Sequence, residues 1–169
     1  MTSPLKDFEI VLGKFLAALT IIIVMIIGTF FYPIILIIFG VPDFGPIFTG
    51  YLGLILYSSA TLSVGIFASS LSSNQLVSLV VGSGILSFLT FIDFVSSRVT
   101  GVFGTILNEL QLGGSFSLFD SSSFGIAEGG HFADFARGII NFYDIIFYIS
   151  ISAIFIVLTI FSLESRRWR

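Results

Sequence analysis

The side chains able to carry proton or metal chemistry are few. His131 is the one histidine among 169 residues, so neither a paired-histidine metal site nor an H-E-x-x-H motif exists. The absence of cysteine excludes disulfides, thiolate metal sites and cysteine nucleophiles. A Ser–His arrangement stays open because serines abound, but the surrounding EGGHFADF contains no nucleophile elbow. His131 therefore reads as an exposed loop residue. No G-x-x-x-x-G-K-[ST] run is present, so nucleotide is not held in the P-loop manner. Two acids fall inside apolar runs, Asp93 near the end of the third and Asp144 near the start of the last. Ionisable residues in such segments suggest ion or proton handling. Both lie close enough to span ends to reach headgroups, and Arg98 is placed to pair with Asp93, so structural anchoring is the preferred reading. No catalytic residue, metal ligand set or bound cofactor is assigned.

The elements that must position these residues are set by composition. Hydrophobic residues make up 56% of the chain and charged ones 10%, against about 25% charged in soluble domains. With a mean hydropathy of +1.10, the chain is an all-α integral membrane protein by expectation. Its net charge of −3 says little, because placement matters more than the sum. The first apolar run is too long for a signal-peptide core, so no cleavable leader is expected.

Four spans follow in order. The first covers about 15–39; seventeen of its residues are Leu, Ile, Val or Phe, an insertion term of about −5 to −10 kcal/mol. Pro33 predicts a kink, tolerated where a neighbour satisfies the freed carbonyl. GVPDFGPIFTG reads as a turn, its prolines and glycines closing the helix. The second and third spans cover about 51–71 and 76–95, joined by a tight connection that implies an antiparallel pair. Residues 96–141 form an external segment, rich in Gly, Ser and Phe and too long for a simple turn. Short re-entrant helices are expected near 102–112 and 131–139. The fourth span covers 142–163, followed by a basic tail, 164–169.

Residues 1–14 read as an interfacial amphipathic helix. Ser3 caps, Pro4 opens the first turn, and Asp7 sits where the helix dipole favours negative charge. Leu5, Phe8, Leu12 and Phe15 share one face, while Lys6, Asp7 and Glu9 point elsewhere. Thr61, Gly65, Ser69 and Ser72, extended by Ser78 and Gly82, make a small-residue face suited to helix packing. The alternative is that this face lines a path or a subunit seam. Lys14, Arg166, Arg167, Trp168 and Arg169 read as interface anchors. Lys6, Lys14, Arg166, Arg167 and Arg169 lie on one side against Arg98 and Arg137 on the other, which predicts both termini in the cytoplasm.

Three stretches together resemble one family. TSPLKDFEIVLGKF is similar to the junction where the cytoplasmic coupling region of type-2 ABC transporter permeases enters a membrane span. PDFGPIFTGYLGLILYSSATLSVGIFASSLSSNQLVS resembles the hairpin that follows, and HFADFARGIINFYDIIFYIS with LESRRWR resembles the closing segment and basic tail. The nearest subgroup is the gliding-motility-type permeases. Residues 96–130 carry no part of the resemblance. It implies an export permease in a prokaryotic plasma membrane, switching conformation with a separate ATPase subunit that carries ATP and Mg. Ser3, Pro4, Leu5, Lys6, Asp7, Phe8 and Glu9 would form the ATPase-coupling contact. A second permease copy or a homologous permease, and the lipid bilayer, would be the other partners; no nucleic acid is expected. Such permeases have six spans, so this chain reads as the last four. The rival expectation is a four-span membrane scaffold or assembly protein without transport activity.

Overall fold

The computed structural model describes residues 7–40, 42–96, 107, 110, 112 and 131–167, with backbone alone at Asp7, 93–96, Ala133, Arg166 and Arg167. Ser3, Pro4, Leu5, Lys6, Arg98, Trp168, Arg169 and most of the helix expected near 102–112 lie outside the described residues. The described chain forms α1 (Asp7–Gly28), α2 (Phe31–Phe39), α3 (Phe44–Leu71), α4 (Gln75–Ser96), α5 (His131–Ala136) and α6 (Phe142–Arg167). Four stretches, Phe8–Phe39, Phe44–Leu71, Gln75–Ile92 and Phe142–Ser165, are long and apolar enough to cross a membrane. Ile21, Met25, Ile38, Leu79 and Phe161 are each more than 60% exposed. Side chains of this kind in contact with water would be unfavourable, whereas acyl chains accept them without cost. The chain is an all-α, multi-pass membrane protein.

α1 runs without a break from Asp7 to Gly28, about 33 Å at 1.5 Å per residue. The stretch 7–14 is thus the first two turns of the same helix that continues into the apolar span. Phe8 is exposed, Leu12 and Phe15 are half-buried, and Val11 is the residue packed away completely. The helix is interrupted at Thr29–Phe30, one turn before Pro33. Proline has no N–H to offer the carbonyl four residues back, here that of Thr29. That carbonyl accepts instead from the Tyr32 N–H at 3.0 Å and from the Tyr51 hydroxyl at 3.0 Å. The Tyr51 ring stacks on Phe30 with centroids 4.6 Å apart. Tyr51 belongs to α3, so the break is tied to the neighbouring helix.

α3 begins at Phe44, seven residues before the expected start of the second span. Asp43 caps it, its carboxylate accepting from the Gly45 N–H at 3.3 Å. Pro46 lies in the first turn, where backbone N–H groups have no intrahelical partner, so it does not stop the helix. The end of the expected turn is therefore helix. At the other end Ser72 accepts from the Asn74 N–H and Asn74 from the Leu76 N–H, which reverses the chain into α4.

α3 is the hub, packed against α1, α4, α5 and α6, and most extensively against α6. α3 and α6 run parallel: Tyr57 meets Tyr148, Ser59 Oγ lies 3.3 Å from Ser152 Oγ, and Ser162 Oγ donates to the Ser70 carbonyl at 3.4 Å. The buried side of α3 carries Thr49, Gly53, Ala60, Ser63, Val64, Ala68 and Ser70. This corrects the expected packing face. Gly65 and Ser69 are exposed, Thr61, Ser72 and Ser78 half-buried. The packed stripe is Ala60, Val64 and Ala68, one residue and about 100° round the helix. Gly82 does pack: a Cβ there would sit 3.1 Å from the Ala68 Cβ. Small residues occupy both stripes, and the partner helices decide which one is covered.

Candidate functional site: a buried histidine–aspartate pair

The site is built by a short reversal between α5 and α6. Gly138 adopts φ +88, the left-handed conformation that glycine alone takes freely. Its N–H reaches the Phe135 carbonyl at 3.3 Å, and the Ile139 N–H reaches the Asp134 carbonyl at 2.9 Å. Those two bonds form the Schellman pattern that ends a helix and turns the chain back. Asn141 Nδ2 donates to Asp134 Oδ2 across the turn. The reversal sets the start of α5 beside the first turn of α6, and so His131 beside Asp144.

His131 Nδ1 lies 2.6 Å from Asp144 Oδ1. The residues are 7% and 4% exposed. The imidazole stacks on Phe147 with centroids 3.8 Å apart and has Tyr143 and Tyr148 at 5.4 and 6.4 Å. Asp144, Phe147 and Tyr148 share one face of α6 because they are three and four residues apart. Asp144 Oδ2 is buried and has no hydrogen-bond partner among the described residues. An acceptor left so is unfavourable by roughly 1–3 kcal/mol.

Around the pair, α5 is seated on α3. Phe135 is fully buried, and a Cβ on Gly53 would lie 2.8 Å from both its Cβ and its Cγ, so glycine is what admits the ring. Thr49 Oγ1 donates to the Phe135 carbonyl at 2.7 Å. Phe132 packs edge-on to Tyr57. The Tyr148 hydroxyl donates to the buried carbonyl of Leu112 at 2.7 Å, and the Leu112 N–H approaches the Leu89 carbonyl of α4 at 3.4 Å. Leu112 thereby joins α4 to α6.

Two sequence expectations are corrected here. His131 is not an exposed loop residue: it opens α5 and is buried. Asp144 does not reach out toward headgroups: it faces inward, and burial of its Oδ1 alone is compensated by the imidazole. The short helix expected near 131–139 is present as His131–Ala136. The sequence carries the parts of the pair but not their meeting: HFADFA, a glycine two residues on, and an acid at the first turn of the next helix. The roles of Tyr51 and Tyr148 had no sequence signal, since a tyrosine in an apolar span has no required partner.

The other expected residues are dispersed. Asp93 lies in the last turn of α4, far along the chain from the pair, with its backbone alone described. Asp7, Phe8, Glu9 and Lys14 lie on α1, the last three exposed. Arg166 and Arg167 close α6. Among the described residues no group of three or more His, Asp or Glu is gathered as a metal would need. What the pair can do is hold an imidazole in one orientation through Nδ1, as an orienting carboxylate does, and join α5 to α6. No family model matches this chain, and no curated protein or solved structure is significantly similar to it.

Proposed function

We propose that this chain is the membrane-spanning permease subunit of an ATP-binding-cassette exporter, moved by a separate ATPase that carries ATP and Mg. The observation that supports it best is the continuity of α1 from Asp7 to Gly28. The described part of the stretch that resembles the coupling junction, from Asp7 on, belongs to one continuous helix, which ends at the Thr29 break held by Tyr51 of the hub helix. A displacement at Asp7 and Glu9 is thereby delivered to α3, and through α3 to α4, α5 and α6. Each nucleotide state of the ATPase biases the bundle only through contacts that differ between its states. In this reading both termini are cytoplasmic, the membrane is the plasma membrane of a prokaryote, and a second permease completes the assembly.

The test is purification from the native membrane with identification of everything that accompanies the chain. A stoichiometric ATPase is expected, and reversing the charges of Lys6, Asp7 and Glu9 together should release it. Purification without an ATPase, or unchanged association of the reversed variant, overturns the proposal. A second reading, a proton-coupled carrier, is favoured by the inward-facing Asp144 and its histidine partner. It requires that the chain without any ATPase support proton-driven uptake in vesicles and that Asp144→Asn abolish it.

A further inference from the structure

We propose that α5 is a hinged cap over the Asp144 carboxylate and that the His131–Asp144 hydrogen bond is its latch. A helix of six residues does not persist by itself, so the position of α5 is set by docking. Its docking has two ends, with Phe132 edge-on to Tyr57 between them. At one end the Phe135 ring sits over Gly53 and the Thr49 hydroxyl holds the Phe135 carbonyl. At the other end the side-chain bond from His131 to Asp144 closes the cap against α6. The connection behind it contains Gly138, the one residue with positive φ among the described residues and so the natural pivot.

The closed state is not fully satisfied. Phe135 and the stacked imidazole gain burial, but Asp144 Oδ2 is held from water with no partner among the described residues. Lifting α5 would hydrate that oxygen while exposing the rings. The two arrangements therefore oppose each other term by term, which is the condition for a two-state element. Its release would deliver a solvated carboxylate, at the start of α6, to whatever lies on that side of the bundle. This inference stands independently of an ATPase partner.

The chain has no cysteine, so a single introduced thiol reports alone. Thr49→Cys places one directly beneath α5, at a position 5% exposed. Its S–H keeps a weaker donor toward the Phe135 carbonyl, and amide hydrogen exchange of α5 in the unsubstituted chain checks that the cap is shut before the thiol is introduced. Ser63→Cys places a control on α3 one turn from Ser59, whose hydroxyl meets Ser152 of α6, at a position fully buried. Each is reacted, in purified full-length protein, with a water-soluble maleimide. The thiol of Thr49→Cys should react slowly alone and faster by roughly ten- to a hundredfold when Asp144→Asn or His131→Phe is added, the factor one charge-assisted hydrogen bond supplies. His131→Asn, whose amide restores a donor near the Nδ1 position, should return most of the protection. The Ser63→Cys control should stay unreactive throughout. The proposal is overturned if the thiol of Thr49→Cys is reactive from the start, or if breaking the latch leaves its rate unchanged. It is equally overturned if the Ser63→Cys control becomes reactive with it, because the pair would then hold the whole bundle rather than a cap.

Discussion

Replacing Gly53 by alanine should change sign with the residue opposite it. In the native chain the new Cβ would stand 2.8 Å from the Phe135 Cβ and Cγ and 3.2 Å from its Cδ2. Real contacts do not come that close, and the Phe135 Cβ moves only with its backbone, so α5 must shift, an overpacking cost of about 1–3 kcal/mol. Against this stands the better helix propensity of alanine, about 1 kcal/mol. The net for Gly53→Ala is destabilisation by about 0–2 kcal/mol. Phe135→Gly by itself removes a fully buried side chain, Cβ included, and should cost about 4–6 kcal/mol. With the whole side chain gone none of those three contacts remains, so adding Gly53→Ala should now stabilise by about 1 kcal/mol. The coupling between the two sites is then about 1–3 kcal/mol, well above the error of additivity for independent sites. Unfolding by SDS titration from mixed micelles, followed by circular dichroism across the four proteins of the cycle, measures it. Equal effects of Gly53→Ala in both backgrounds would refute the contact between α3 and α5 on which the candidate site depends.

Two further predictions concern the helix break and the packing stripe. Tyr51→Phe removes the hydroxyl that serves the Thr29 carbonyl and should cost about 0.5–1.5 kcal/mol; in a Pro33→Ala background, where residue 33 regains its N–H, the same change should be close to neutral in the same titration. Gly82→Val should lower the melting temperature in detergent, because its Cβ alone would already press on the Ala68 Cβ at 3.1 Å. Gly65→Val should not, since nothing lies within 4 Å of a Cβ there. A large loss of stability from Gly65→Val would mean that the exposed stripe Thr61, Gly65, Ser69 is covered in the assembled protein.

Much of the architecture follows from one-dimensional properties. Twenty or so consecutive apolar residues must form hydrogen bonds within their own segment once lipid replaces water, so the four helices are dictated by composition and length. The interruption near Pro33 follows from a missing N–H, and the tight turn at Ser72–Asn74 from side chains that cap their own backbone. Helix ends were less legible. Pro46 signals a break when read in isolation, but in the first turn of a helix capped by Asp43 it is harmless.

Composition and the length of the apolar runs specify a multi-pass helical protein whose chemistry has to come from very few ionisable side chains. Which stripe of α3 is buried, which carbonyl Tyr51 serves, and the meeting of His131 with Asp144 emerge from the packed bundle. The reason is physical. Helix formation in a membrane is a local requirement of each segment, satisfied by the backbone whatever the neighbours are. Which faces touch depends on shape matching between segments far apart in the chain, and the spacing of small residues on α3 fits two adjacent stripes equally well. His131 and Asp144 are thirteen residues apart, and their meeting depends on a glycine in the left-handed conformation and a phenylalanine seated over another glycine. None of these is visible until the helices are placed side by side.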